Sequence, residues 1–224
     1  KAPLGGEILS HDFVEAALLR RAGWQCFLLP QLRGSYEEVP GNILDYAKRD
    51  RRWVQGNLQH AMLLQSPGLH PLNRLHFVLG ILAYTSSLLW LLMLALSTID
   101  AGARALSDSA YFTQTYQLFP DWPVARSGMI FSLIGITIAL LLLPKLMGVL
   151  LAMKQRRDAY GGGPRIALSA GLETMFAILI APLMMVFHTG FVTSVLLGRQ
   201  VSWDTQSREG RLLGWRDVLT RTAF

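Results

Sequence analysis

Between Leu75 and Ser97 the sequence is LHFVLGILAYTSSLLWLLMLALS, a run that contains no aspartate, glutamate, lysine or arginine. An α-helix rises about 1.5 Å per residue, so this run spans roughly 35 Å, enough to cross the ~30 Å hydrocarbon layer of a bilayer. We therefore predict a transmembrane helix here. A second apolar run, from about Arg126 to Met153, predicts a second span, and Lys145 lies near one end of it, where its ammonium group can reach the lipid headgroups.

A third apolar block, residues 166–198, is long enough to cross a bilayer but contains Glu173, Pro182 and His188. Cytoplasmic loops carry an excess of lysine and arginine, and both flanks of this block are basic. Since a segment with both ends in the cytoplasm cannot cross once, we predict an interfacial or re-entrant hairpin bent near Pro182, with a single crossing as the alternative. The basic flanking residues are Lys154, Arg156, Arg157, Arg165, Arg199, Arg208, Arg211, Arg216 and Arg221.

The composition agrees with a membrane protein, because 51% of the residues are hydrophobic and only 16% are charged. The net charge of +6 comes from basic residues that lie between the apolar blocks. This placement favours a membrane surface and a phosphate-bearing substrate over nucleic acid, for which the sequence has no motif. Cys26 is the only cysteine, which excludes an intrachain disulfide.

The first 74 residues are polar enough to lie in water. Ser10 is placed to cap a helix that Gly23 ends, and Trp24 to Leu29 predicts a buried strand. A helix and strand of this size cannot form a complete core, and the chain begins without a methionine. We therefore expect a fragment whose missing front half completes the domain. A second helix, roughly from Ile43 to Leu64, leads towards the membrane.

The short pattern Leu9-Ser10-His11-Asp12 places a carboxylate at the amino terminus of the first helix. The helix dipole keeps such a group ionised, which suits a base that accepts a proton from a sugar hydroxyl. The structural alternative is a simple acidic group at a helix start.

The second pattern is Arg49-Asp50-Arg51-Arg52-Trp53, on the helix that leads to the membrane. Arg49 and Arg52 are three residues apart and so lie on neighbouring positions of one helix face, where two guanidinium groups can bind a diphosphate. The indole of Trp53 can stack on a sugar ring. As an alternative, a basic helix beside a membrane contacts anionic lipid.

Together the two patterns resemble the family 2 inverting glycosyltransferases, the processive membrane group that includes cellulose and hyaluronan synthases. The resemblance implies that Asp12 is the catalytic base, that Arg49 and Arg52 bind the nucleotide diphosphate, and that Trp53 binds the acceptor. His11 stands where this family often has glutamate, and Arg49 where it often has glutamine. The branch that makes osmoregulated periplasmic glucans is the most similar over residues 5–95, which include GGEILSHDFVEAALLRRAGW, GSYEEVPGNILDYAKRDRRWVQGNLQH and GLHPLNRLHFVLGILAY.

This resemblance implies UDP-glucose as donor, a β-linked glucan as product and its delivery across the bacterial inner membrane. It also implies a divalent cation, Mg or Mn, whose Asp-x-Asp ligands are not in this chain, so the chain alone should be inactive and should contain no metal site. The implied partners are the growing glucan, membrane lipid, acyl carrier protein and a periplasmic glucan-modifying protein. No nucleic acid is expected. His60, His70 and His76 are irregularly spaced and are better explained as interfacial histidines than as metal ligands.

The predicted fold is a mostly α membrane protein, in which the C-terminal end of an α/β GT-A glycosyltransferase domain precedes transmembrane and interfacial helices. Residues 1–74 form the cytoplasmic end of that domain, 75–153 two transmembrane helices, 166–198 the hairpin and 199–224 a basic cytoplasmic segment. Within this last segment the family carries a gating loop, here matched in placement by Val201, Ser202, Trp203, Asp204 and Thr205; the alternative is an ordinary polar connector. The rival functions are another processive synthase and a non-catalytic membrane scaffold or transport subunit.

Overall fold

A computed structural model of the chain describes residues 4, 8–29, 32, 34, 36, 38–107, 116–119, 127–199 and 214. The regular elements of these residues are all helical, in agreement with the predicted mostly α fold. The helices are α1 (His11–Arg21), α2 (Ile43–Gln59), a 3-10 turn (His60–Leu63), α3 (Pro71–Leu106), α4 (Ser127–Gln155), a second 3-10 turn (Asp158–Tyr160) and α5 (Gly163–Leu196).

Helices α3, α4 and α5 are each long and apolar enough to cross a membrane, with mean hydropathy of 2.0, 2.3 and 2.0 in their most apolar stretches. Their apolar side chains point outward: Phe131 is 72% exposed and Leu140 is 71% exposed. Such surfaces are stable in lipid, where a helix satisfies its own backbone hydrogen bonds. The two predicted spans therefore lie within α3 and α4.

Helix α5 differs from the predicted hairpin. It runs without a break from Gly163 to Leu196, with Pro182 inside it. A proline removes one backbone hydrogen bond, yet long apolar helices tolerate this because local adjustments satisfy the freed carbonyl. A continuous helix thus takes the place of the hairpin turn at Pro182, and the path of residues 166–198 relative to the membrane stays a prediction; Pro144 is accommodated within α4 in the same way.

The chain divides into two compact units. One unit combines Lys1–Ser97 with Pro182–Phe224, and the other is Thr98–Ala181. In the second unit the ammonium group of Lys145 on α4 donates a hydrogen bond to the carboxylate of Glu173 on α5. This ion pair explains how α5 carries an acidic residue in an apolar stretch, and it gives Lys145 a protein partner in place of the predicted headgroup contact.

In the first unit α2 lies between other helices. Its apolar side chains Val54 and Leu58 pack against Val192 and Val195 of α5. A second cluster joins Leu44 and Ala47 of α2 to Phe187 of α5, and a third joins α1 to the start of α3 through Val14, Ala17, Leu69 and Phe77. Helix α2 is thereby fixed to a membrane helix along one side.

Helix α1 ends as the sequence predicts, because Gly23 adopts a positive φ of 89° and the Trp24 N–H donates to the Leu19 carbonyl at 3.0 Å. The predicted buried strand from Trp24 to Leu29 does not form. These residues are irregular and exposed, with Leu28 at 90%. A strand requires a partner for its hydrogen bonds, and the described part of the chain offers none.

Candidate functional site

The start of α1 is anchored on the end of α2. The Leu9 N–H donates to Oε1 of Gln59 at 3.2 Å, and Nε2 of His60 donates to the Ser10 carbonyl at 3.1 Å. A Cβ atom at Gly56 would lie 2.6 Å from the backbone nitrogen of Ser10, so only glycine permits this approach. Although Ser10 precedes the helix, its side chain makes no capping hydrogen bond, and its carbonyl is used instead.

His60 holds this junction from the inside. Its side chain is fully buried, with its ring 4.8 Å from the Phe77 ring and 6.1 Å from that of Phe13. Burial lowers the pKa of His60 below its ordinary value; the hydrogen bond to Ser10 opposes this shift, and a charge on His76 adds to it. The imidazole is therefore neutral at pH 7 and carries its proton on Nε2, because a carbonyl can only accept.

Asp12 lies in the first turn of α1, two residues after the anchored Ser10. Its side chain is 85% exposed, and its Oδ1 is 3.3 Å from Nε2 of His11. The carboxylate is thus open to solution at the positive end of a helix. Since Gly56 lies one helical turn after Arg52 and Trp53, the contact between Ser10 and Gly56 brings the α1 start beside the Arg52 and Trp53 turn of α2.

The three predicted site residues of α2 are in different environments. The guanidinium carbon of Arg49 is 4.6 Å from the Tyr46 ring centroid and 5.8 Å from that of Trp53, so this cation lies against two aromatic rings. Trp53 is half exposed, whereas Arg52 is buried at 7%. Arg49 and Trp53 therefore share an accessible face, and Arg52 belongs to the interior of the first unit.

The charges along this part of α2 are unbalanced. Arg49, Arg51 and Arg52 surround one acid, Asp50, whose Oδ1 is 3.8 Å from the Arg49 Nη2. The Nε atoms of Arg49 and Arg51 are buried and have no hydrogen-bond partner among the residues that the structure describes. The excess of positive charge on this part of α2 suits a diphosphate.

Sequence reasoning missed a contact on the opposite side of Asp50. Its Oδ2 is 3.0 Å from Nε2 of His188, which lies 138 residues later on α5. Two signals could have indicated it, namely an ionisable histidine inside an apolar block and an acid inside a basic run. The predicted gating segment, Val201–Thr205, lies outside the described residues.

Comparison with known proteins places these features in a family. A family model described as "Glycosyl transferase family group 2" matches residues 5–203. The chain belongs to glycosyl transferase family group 2. This membership confirms the family that the Asp12 and Arg49-to-Trp53 patterns indicate.

Curated relatives within this family carry the name "Glucans biosynthesis glucosyltransferase H". The protein from Cupriavidus pinatubonensis is 47% identical over 221 residues, which cover 99% of this chain and 26% of that protein. Those from Klebsiella pneumoniae and Escherichia coli are each 46% identical over 98% of this chain and 27% of theirs. The chain thus spans about a quarter of the length of the relatives it matches.

These alignments reach beyond residues 5–95, to which the sequence patterns limited the close resemblance. The alignments cover α4 and α5 as well, so the similarity to these relatives includes the long apolar helices. No solved structure matches the chain. Among the described residues, no group of three histidine, cysteine, aspartate or glutamate side chains is arranged to hold a metal ion.

Proposed function

We propose that the chain is the diphosphate- and acceptor-binding part of an inverting glucosyltransferase that makes the β-glucan backbone of osmoregulated periplasmic glucans from UDP-glucose. The family membership and the names of the relatives support the glucosyltransferase class. The observation that supports the proposal is the close contact of Ser10, two residues before the exposed Asp12, with Gly56, which lies one helical turn after Arg52 and Trp53.

In the proposed reaction the carboxylate of Asp12 takes the proton of the acceptor hydroxyl. The hydroxyl oxygen forms a bond to the anomeric carbon of the donor as the bond from that carbon to the diphosphate oxygen breaks. Negative charge then increases on the departing UDP, where the accessible Arg49 contacts it and the buried Arg52 adds positive charge from the interior of the unit. The exposed indole of Trp53 stacks on the acceptor sugar and orients its hydroxyl.

The reaction requires a longer protein than this chain. Because the chain spans about a quarter of its relatives, we propose that the uridine site and the Asp-x-Asp ligands of a divalent cation, Mg or Mn, lie elsewhere, and that the chain alone is inactive. The described residues do not offer a ligand set for that cation, so no step here depends on it. Acyl carrier protein and a periplasmic glucan-modifying protein remain the proposed partners.

We place residues 1–74 at the cytoplasmic face of the bacterial inner membrane and propose that the helices that follow help move the glucan across. The C-terminal half of α5 packs on α2 and on Ile81, Tyr84 and Leu88 of α3. This packing supports our proposal that α5 ends on the same side of the membrane as α2, and we keep a gating role for Val201–Thr205 as a proposal from their position in the sequence.

The test is the substitution Asp12→Asn in the full-length protein, with glucan synthesis from UDP-glucose measured in membranes. Loss of the base should lower turnover by about 100- to 10,000-fold without loss of UDP binding. Glu15→Gln is the matched control, because Glu15 is an exposed acid on the same helix, 4.0 Å from the same His11. Wild-type turnover by a normally expressed Asp12→Asn protein would refute the assignment.

A further inference from the structure

Three helices of the first unit meet at the side chain of His188 on α5. Its Nε2 is 3.0 Å from Oδ2 of Asp50 on α2, and its Nδ1 is 3.3 Å from Oγ of Ser87 on α3. The Tyr84 ring covers it edge-on, with 5.3 Å between ring centroids. The side chains of His188 and Asp50 are only 15% and 9% exposed, so this is an interior polar contact.

The hydrogen bond between His188 and Asp50 has a definite direction. A carboxylate only accepts, so Nε2 of His188 carries a proton and donates it to Asp50. The Ser87 hydroxyl, which can donate or accept, is the hydrogen-bond partner of Nδ1. This chain from Ser87 through His188 to Asp50 satisfies both ring nitrogens, which is necessary because an unpaired polar group in an apolar helix is costly.

Asp50 connects these hydrogen bonds to the candidate site. Its second oxygen, Oδ1, is 3.8 Å from Nη2 of Arg49, so one carboxylate contacts both His188 and a proposed diphosphate ligand. Apolar clusters also join α2 to α5, and the guanidinium carbon of Arg51 lies 5.9 Å from the Phe191 ring centroid; apolar contacts specify helix register weakly. The hydrogen bond from His188 to Asp50 joins one position of α5 to one position of α2 and so favours a single register of the two helices.

We propose that His188 is a positioning residue that holds Asp50, and through it Arg49, in the arrangement that receives the donor diphosphate. Through Ser87 the same side chain ties this arrangement to α3. The inference rests on the proposed function, because it assumes that Arg49 contacts UDP. It assigns to a histidine of α5 a role in donor binding, in place of the merely structural role of filling an interior position.

The test measures UDP affinity and the kinetics of UDP-glucose use by the full-length protein. His188→Ala should weaken UDP binding and raise KM by about tenfold, the size expected for a buried hydrogen bond to a charged group, with kcat changed less than about threefold. His188→Gln should restore most of the affinity, since its amide nitrogen can donate to Asp50. UDP affinity at the wild-type level in His188→Ala, or equal losses in the Ala and Gln variants, would overturn the proposal.

Serine variants supply a milder test that does not endanger folding. Ser87→Ala removes the hydroxyl that forms a hydrogen bond with His188 and should weaken UDP binding by about threefold. Ser86→Ala is the matched control, because the Ser86 hydroxyl donates to the Ala83 carbonyl of its own helix. Equal UDP affinities of these two variants would contradict a role of the Ser87–His188 hydrogen bond in UDP binding.

An Arg49→Ala variant separates the two proposals. If Arg49→Ala loses UDP affinity and His188→Ala does not, the positioning role fails while the proposed function stands. If neither variant loses affinity, the diphosphate site on α2 fails and the positioning role fails with it. Both proposals are supported if each single variant loses UDP affinity and the double variant loses less binding free energy than the sum of the two single losses.

Discussion

In most soluble proteins apolar side chains are buried and polar ones are exposed. Helix α2 departs from this rule because it buries polar side chains, and helix α4 departs from it because it exposes apolar ones. In α2 and the residue after it, Asp50, Arg52, Gln55, Asn57, Gln59 and His60 are all buried, while Trp53 is half exposed. Helix α4 has no buried residue among those described, and its leucine and phenylalanine side chains face outward. The apolar surface of α4 is suited to lipid, whereas buried polar groups on α2 are stable only with specific partners, which is the signature of a site.

A charge in the middle of α4 should produce the largest effect. Leu140→Arg puts a guanidinium group in the hydrocarbon layer and should cost about 2.5–3.5 kcal/mol of membrane insertion, measured as the inserted fraction in a translocation assay. Met62→Arg is the matched change, because Met62 is also exposed, at 58%, but lies in the turn after α2. Efficient insertion of Leu140→Arg would remove the lipid-facing assignment of α4.

Alanine at Gly56 should be the next most damaging change. Its Cβ would lie 2.6 Å from the backbone of Ser10 and would push α1 from α2, so we expect a loss of about 1–3 kcal/mol in stability. Thermal unfolding of the purified protein measures the loss. Gly135→Ala on α4 is the control, since no atom lies within 4 Å of its Cβ position. Similar melting temperatures for the two variants would deny the close contact of α1 with α2.

A smaller effect is expected from pH. The pKa of His60 is lowered in the folded state, so below its unfolded pKa the unfolded chain binds more protons than the folded one. Stability should therefore be complete above about pH 6.5 and decline as the pH falls below it towards the folded pKa. His60→Gln, which can still donate to Ser10, should flatten this dependence in melting curves between pH 5 and pH 7. An unchanged pH profile would contradict the burial of a neutral imidazole.

The smallest effect should come from the ion pair of Arg104 with Asp100, whose Nε and Oδ2 are 2.9 Å apart. Both side chains are largely exposed, so Arg104→Gln should change stability by less than about 0.5 kcal/mol. Melting curves at low and high salt test this. A loss as large as that of Gly56→Ala would show that this exposed ion pair contributes as much to stability as the close contact of α1 with α2.

Much of the helical framework can be predicted from local sequence. Asn42 accepts a hydrogen bond from the Asp45 N–H at 2.8 Å and so begins α2 where the sequence places it. Helix α3 extends beyond Leu75–Ser97 because Pro71 is compatible with a first helical position and the Asp100–Arg104 pair supports the far end. These features depend on residues at most a few positions apart.

The errors and omissions come from distant contacts. The strand at Trp24–Leu29 fails because strand pairing needs another segment, and composition alone does not supply one. A continuous helix replaces the predicted turn at Pro182 because an apolar helix accommodates a proline. The contact between Asp50 and His188 joins residues 138 apart, and the burial of Arg52 depends on the same packing of α2 against other helices. Neither can be read from periodicity.

The central claim is that the accessible face of α2 that carries Arg49 binds the donor diphosphate. The most direct measurement is the dissociation constant of UDP for three full-length proteins. We predict that Arg49→Ala weakens UDP binding at least about tenfold relative to wild type, as expected for loss of a charge-assisted contact. Arg104→Ala, which removes an equal charge from the other unit, should bind UDP as wild type does. Equal dissociation constants for wild type and Arg49→Ala would contradict the account.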